Sequence, residues 1–543
     1  MTQQELRTAV SAASPVASAD GSATLTADAL VKPATSLKAQ IDDAMQRLLG
    51  VSAKFRDLTG QDRAVSTREE TIAMMHHYMD RLAMKEAVRG LSVIHVAGTK
   101  GKGSTCAMTE RILREAGYKT GLFTSPHLIS PCERFRINGK PVPEATFLKH
   151  FYDVWDGLER TADQSGEYPP MAWFFRFLTL LALHIFVEER VDVVILEVGI
   201  GGRLDATNVI EKPVVCGITT LDLDHVRVLG ETLDKIAYAK AGIFKHGVPA
   251  FTTAQEPLAM DMLRQCAAET ENPLTQAPVL DQIGPHGPSY ELGMQGAYQR
   301  VNAGLAVALA TTWLQHKRGE ASAGQVDFSK PIEAAVEQGL KHAFWPARSH
   351  IMDDRAHQTR FYIDGAHTLR SLEVCSEWYG ATARPGSKRA LIFTIHHERN
   401  VAGIIAPLLT HRFDRVYFCP TGASRPSIVK IHSFSEALEC ADLRHIVEKY
   451  TAAELQELDA VVDGQPQWQT TLARLWTALK THVMGENAST STVTVRNSVV
   501  DCIADLRRVE GNETQDQDET WSVLVTGSLY LAGETLEFLK WSE

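Results

Sequence analysis

The 543 residues predict an α/β protein built on two mostly parallel sheets, the second domain smaller than the first. Three observations carry this. Apolar runs too continuous for a half-exposed strand recur along the chain. Stretches with helical spacing lie between them. The pattern pauses around Trp345-Pro346 and restarts at Arg360. Continuous apolar strands separated by helices indicate parallel sheets, because crossover helices cover both faces.

Residues 91–97 (LSVIHVA) form the first strand and run into a Gly-rich turn. Residues 104–116 follow with Met108, Ile112 and Leu113 at helical spacing and Gly117 as the stop. A second strand at 191–196 (VDVVIL) ends in Glu197, Gly199, Gly201 and Gly202, and a third lies at 213–219 (PVVCGIT). The most apolar stretch, 173–187, carries Arg176 and His184 and is too short to span a membrane, so it reads as a buried helix. After the pause, strands are expected at 361–363, 390–394, 415–419 and 521–526. Helices are expected from about Leu369 and again after Gly527-Ser528. Solvated insertions are expected at 316–329, 459–467 and the acidic run 510–519.

Composition narrows the function. Lys and Arg number 55 against 66 Asp and Glu, a net charge of −11. Such a chain has no electrostatic footprint for nucleic acid and does not favour an anionic membrane. Its eight cysteines are scattered singly with no CxxC pair, which argues against structural zinc and a disulfide scaffold and for a reducing, cytoplasmic setting. Residues 1–38 are rich in Ala, Ser and Thr and include Glu5, Asp20 and Asp28. They read as a disordered leader rather than a secretory signal or an arginine-rich presequence.

The chemistry begins at Gly98-Thr99-Lys100-Gly101-Lys102-Gly103-Ser104, a P-loop-type turn between strand and helix. Backbone N–H groups and a helix N-terminus there can cradle phosphate oxygens, with Lys102 reaching the β- and γ-phosphates. Gly103 stands where a strict GxxxxGK[ST] loop has Ser or Thr, and Ser104 supplies the hydroxyl one residue later. Glu197 ends an apolar strand, where open α/β sheets bind ligands, and a carboxylate there can hold Mg²⁺.

The loop GTKGKGS resembles that of the Mur ligase superfamily, ATP-dependent enzymes joining an amino acid to a carboxylate. The segment 197–208 (EVGIGGRLDATN) resembles the signature of folylpolyglutamate and dihydrofolate synthases. Asp364-Gly365-Ala366-His367-Thr368 is similar to the DGAH[NT] motif, in the Thr form of the eukaryotic folylpolyglutamate synthases. The resemblance runs from about residue 40 to 540. It implies a central ATP-binding domain with the folate site over 39–345 and a Rossmann-like, glutamate-binding domain over 346–543.

The resemblance also implies residue roles. Ser125 (in TSPH), Glu197 and His225 (in LDH) would ligate magnesium. Lys240 would be carbamylated and help bind a second metal, although Ala239 replaces the usual Glu. Asn302 would lie near the adenine, and Arg348 would serve ATP from the interdomain junction, where Ala347 replaces the usual Gly. Asp364 would contact ATP, His367 the incoming glutamate and the acyl phosphate, and Ser528 the glutamate. The implied reaction is ATP-dependent addition of L-glutamate to the γ-carboxylate of reduced folates through an acyl phosphate. Mg²⁺ and a monovalent cation such as K⁺ would assist. Dihydrofolate synthase, alone or bifunctional, is the alternative because it shares these motifs. A monomer without membrane insertion is expected, with a mitochondrial pool left open. Since ATP, folate and glutamate are all anions, the site is expected to gather positive charge from Lys102, Arg348, a helix N-terminus and Mg²⁺.

Overall fold

The computed structural model describes residues 36–59, 68–162, 168–286, 289–322, 324–395, 401–422, 433–439, 450–461, 466–484, 491–510 and 520–542. Nearly all of the expected leader, the middle of the 459–467 insertion and all but the first residue of the 510–519 run lie outside these residues.

The first sheet has the order β4-β3-β2-β5-β1-β6-β7-β8. Its strands are β1 (Val93–Ala97), β2 (Thr120–Phe123), β3 (Phe135–Ile137), β4 (Lys140–Pro141), β5 (Val193–Glu197), β6 (Val215–Ile218), β7 (Ala250–Thr252) and β8 (Leu274–Gln276). The three apolar runs became the central β5-β1-β6, paired in parallel with Ile94 opposite both Ile195 and Val215. Strands β3 and β4 add an antiparallel edge.

Side chains alternate across this sheet as the strand period of two requires. Val193 and Ile195 pack with the helix Lys102–Glu115 and the helix Ala297–Lys317, in a core that includes Met108, Ile112 and Trp313. Val194 and Leu196 face the opposite core, with Phe177, Leu181 and Phe151 from the helices Phe174–Glu188 and Glu144–Arg160. The apolar stretch expected to be a buried helix is therefore one. Among the described residues, no helix is long and apolar enough to cross a membrane.

The second sheet has the order β13-β12-β11-β14-β10-β9. Its strands are β9 (His350–Asp354), β10 (Thr359–Ile363), β11 (Lys388–Phe393), β12 (Arg415–Phe418), β13 (Thr492–Val495) and β14 (Trp521–Thr526). All pairs are parallel except β9 against β10. Tyr362, Leu391 and Leu524 face the helices Leu369–Thr382 and Gln467–Met484. Phe361, Ile392 and Val523 face the helices Val499–Glu510 and Leu529–Phe538. The pause before Arg360 is not structureless, because β9 occupies it as a polar edge strand.

Candidate functional site

The carboxyl ends of β1, β5 and β6 in one sheet, and of β10 in the other, open into a single cleft of about 2410 Å³. Ligand pockets commonly measure about 300–1,000 Å³, so this space admits more than one substrate.

The Gly-rich turn follows β1. Gly98 has φ +148, and a Cβ there would stand 1.8 Å from Thr219 Oγ1. Gly101 has φ +86, and a Cβ would stand 2.2 Å from Asn302 Oδ1. Only glycine allows both the left-handed backbone and the close approach. The N–H groups of Thr99 and Lys100 donate to the Thr220 carbonyl (3.1 and 3.0 Å), fixing the turn onto the end of β6. The helix then starts at Lys102, and its first-turn N–H groups lack intrahelical acceptors. Gln299 Nε2 donates to Ser104 Oγ (3.3 Å), and Asn302 Nδ2 donates to Gln299 Oε1 (2.9 Å). Ser104 and Asn302, both expected around the nucleotide, are thus joined through Gln299. Thr99, Gly101, Lys102, Gly103, Ser104 and Asn302 line the cleft.

Glu197 ends β5 with 4% exposure, and its Oε2 accepts the N–H of Ser125 at 3.1 Å. Burial raises the pKa of this carboxyl, against the opposing pull of Lys102, that N–H, Arg348 and Arg134. His225 also lines the cleft, in a left-handed conformation (φ +50). A nearly dry carboxylate and a serine beside it offer the oxygen donors a hard divalent cation prefers, with the His225 imidazole a less usual third ligand. Glu197, Ser125 and His225 would hold Mg²⁺ here.

Three expected residues, Gly98, Lys240 and Ser528, lie off the cleft wall. Lys240 is buried, and its Nζ donates to the Gly98 carbonyl at 2.7 Å. Burial, with Lys102 second, pulls its pKa down to about 7. Ser528 is also buried, and its hydroxyl accepts the Tyr530 N–H (3.2 Å) as the N-cap of the helix Leu529–Phe538. The cap uses an acceptor lone pair and leaves the O–H as a donor, while the neighbouring Leu529 and Tyr530 line the cleft.

Across the cleft, Asp364 directly follows β10 and accepts N–H groups from Ser349 (2.7 Å) and Ala366 (2.9 Å). Burial raises its pKa, with Arg348 opposing. Ala347 and Ser349 flank Arg348 at φ +56 and +47, so the alanine in place of the usual glycine still takes the left-handed turn. A Cβ on Gly365 would stand 2.3 Å from Leu529 Cδ2 and 2.7 Å from Arg348 Nη1, so the glycine lets both side chains close over the backbone. His367 Nδ1 lies 2.8 Å from the Gly365 carbonyl. A carbonyl can only accept, so Nδ1 carries the proton and Nε2 keeps its lone pair. Desolvation, with Lys100 second, lowers the His367 pKa, although the residue keeps an exposed face on the cleft.

Two further residues were not singled out from sequence. Lys100, the first lysine of the turn, pairs with Asp224 at 3.1 Å. Arg134, on the cleft wall, donates through Nε to His127 Nδ1 (2.9 Å) and stabilises the Glu197 charge. The only available signals were the second lysine of GTKGKGS and the ERFRIN segment.

Two mostly parallel sheets facing each other over a phosphate-type turn define a Mur-ligase-like two-domain α/β fold. Solved structures agree. A Mycobacterium tuberculosis folylpolyglutamate synthase complexed with ADP is similar at TM-score 0.65 and 24% identity, covering 92% of this chain and 99% of that one. The Thermotoga maritima folylpolyglutamate synthase gives TM-score 0.59 and 24% identity, covering 91% and 97%. No protein-family model matches the chain. Among curated relatives, the folylpolyglutamate synthase of Arabidopsis thaliana is 36% identical over 545 residues, 93% of this chain and 91% of that protein. The mitochondrial folylpolyglutamate synthase of Bos taurus is 42% identical over 413 residues, 72% and 69%. That of Saccharomyces cerevisiae strain AWRI796 is 32% identical over 511 residues, 91% and 86%. The chain belongs to the folylpolyglutamate synthase family.

Proposed function

We propose that this chain is an ATP-dependent ligase that adds L-glutamate to the γ-carboxylate of folates. The observation that carries the reading is the cleft itself, in which the Gly-rich turn, Glu197 and the Asp-Gly-Ala-His segment meet. Relatives bearing the folylpolyglutamate synthase name support it, and the dihydrofolate synthase alternative is not favoured.

The folate carboxylate attacks the γ-phosphorus, giving an acyl phosphate and ADP. The glutamate amine then attacks the acyl carbon, and phosphate leaves. Lys102, the helix N-terminus at residues 101–104 and Arg348 bind and orient the phosphates, which is most of what phosphoryl transfer needs. Asn302 and Asp364 flank the nucleotide from the two halves. Bound Mg²⁺ would supply charge neutralisation on the phosphates. His367 presents its Nε2 lone pair to the incoming amine. Lys240 secures the turn through the Gly98 carbonyl, and an amine with a pKa near 7 is substantially neutral, the form that adds to CO₂. A monomeric enzyme is proposed, with K⁺ as an accessory ion. The compartment proposed is the cytoplasm with a mitochondrial pool, given the mitochondrial names of some relatives.

The test is ATP-dependent incorporation of glutamate across tetrahydrofolate and dihydropteroate acceptors. Product with tetrahydrofolate, abolished in Lys102→Ala while the protein stays folded, is expected. Product from dihydropteroate alone, or full activity in Lys102→Ala, overturns the assignment.

A further inference from the structure

Away from the cleft, the helices Glu144–Arg160 and Phe174–Glu188 pack through aromatic rings, with Phe151 and Phe177 centroids 4.9 Å apart. At one end of this seam the apolar contact gives way to His150, Asp153 and His184. His150 Nδ1 and His184 Nε2 each lie 3.6 Å from the same oxygen, Asp153 Oδ2. That distance is too long for a hydrogen bond, and both ring nitrogens are buried without a hydrogen-bond partner. His150 has a side chain only 5% exposed, while Asp153 reaches solvent at 44%. The one close partner at the cluster is Lys149 Nζ, 2.9 Å from Asp153 Oδ2. Buried ring nitrogens in folded proteins are normally satisfied, so two orphans aimed at one carboxylate need an explanation.

We propose that His150, Asp153 and His184 form a binding site for a divalent first-row transition ion such as Zn²⁺, separate from the catalytic cleft. The donor atoms all lie within 4.8 Å of one another. Zinc at about 2.0–2.1 Å from each ligand sets donors about 3.3–3.4 Å apart, so the two 3.6 Å gaps close by a few tenths of an ångström while the two ring nitrogens, within 4.8 Å, turn toward the ion. Two imidazoles and one carboxylate suit Zn²⁺, Co²⁺ or Ni²⁺ and disfavour Mg²⁺, which prefers all-oxygen sites. The ion displaces Lys149 from Asp153, and the solvent side of Asp153 leaves a fourth position for water. Histidine and aspartate one turn apart on one helix, with the second histidine on its neighbour, make the ion a clamp between the two. The second helix begins with Phe174 and Phe175, which line the cleft, so the clamp fixes the element that walls it.

Equilibrium dialysis of the EDTA-treated full chain against ZnCl₂, with millimolar MgCl₂ present to fill the hard-cation site, tests this. One zinc equivalent is expected in the wild type and in Glu197→Gln. Asp153→Asn and His184→Ala should each weaken that equivalent by about tenfold or more. Both sites are partly exposed, so these variants are expected to fold even if His150→Ala does not. Co²⁺ bound at the same stoichiometry should show the intense visible absorption of a low-symmetry site, lost in the same two variants. No zinc bound to the wild type, or an equivalent that persists in both variants, overturns the proposal.

Discussion

Glu197 serves two opposed demands, because its position at the cation site requires charge and its burial penalises charge. Burial is the largest influence on its pKa and raises it. A carboxyl whose folded pKa lies above its unfolded value binds its proton more tightly in the native state. Its ionisation therefore removes stability as pH rises from about 4.5 through the raised pKa. Glu197→Gln deletes that penalty and keeps an oxygen for the Ser125 N–H. The expected outcome is a rate lower by about 10²–10³-fold, the scale of one lost electrostatic group. Without Mg²⁺, the melting temperature at pH 7 should rise above wild type, the difference closing toward pH 4.5. Melts at the two pH values check it, and a variant less stable than wild type at pH 7 refutes it. Glu197 was legible in sequence because it ends an apolar run inside a long signature. Lys100 was not, since its meaning depends on Asp224, 124 residues away, and no local pattern links the two. Ser528 was legible as a motif residue beside the site, and only the backbone shows that its hydroxyl also caps the last helix.

At the scale of elements, the helix Lys102–Glu115 begins and ends on left-handed glycines with different surroundings. Gly101 has φ +86 and meets Asn302, whereas Gly117 has φ +90 and nothing within 4 Å of a built Cβ. Alanine at either position carries the left-handed cost of roughly 1–2 kcal/mol. Only Gly101→Ala also drives the turn away from Asn302. Both variants should therefore lose similar stability from backbone strain, with Gly101→Ala losing more. ATP-dependent turnover should fall at least about 100-fold in Gly101→Ala, since a 1 Å misplacement can cost that much, and stay near wild type in Gly117→Ala. Steady-state rates beside denaturant melts decide it, and equal activities would sink the argument. The same contrast explains what sequence revealed of the fold. Central strands β1, β5, β6, β10, β11, β12 and β14 were legible because burial on both faces demands unbroken apolar runs. Strands β3, β4 and β9 were not, lying at or next to a sheet edge with Arg136, Lys140, Asp353 and Asp354 among few residues. The short β7 and β8, three residues each, fall below any period a sequence can display.

Across the whole molecule, charge is arranged by position more than by count. Lys and Arg equal Asp and Glu along the cleft, eight each, in a chain where acids lead 66 to 55. The expected positive site is thus only a local parity, sharpened where Lys102, Arg348 and the helix N-terminus converge. Buried titratable groups likewise oppose one another. Glu197, Asp205 and Asp364 have raised pKa values, with burial the first cause, and regain stability as pH falls. His95 and His350 act with the other sign, lowered by burial to about 3 and about 4. Their native forms bind protons weakly, so the stability they contribute is complete above about pH 6.5 and lost as pH falls through the lowered values. A single deletion therefore exposes one side of this opposition. His95 is fully buried on β1, its Nε2 2.9 Å from Thr207 Oγ1, and joins the central strand to the Asp205–Thr207 turn. His95→Gln should be less stable than wild type at pH 7 through lost packing. Between pH 7 and pH 4 that gap should narrow by about 3 kcal/mol, from about 2.5 units of titration at 1.36 kcal/mol each. Urea unfolding of both proteins across this range measures the gap directly. A gap that stays constant would mean that His95 titrates alike in the folded and unfolded chains, and that the buried imidazole holds no part of the acid sensitivity.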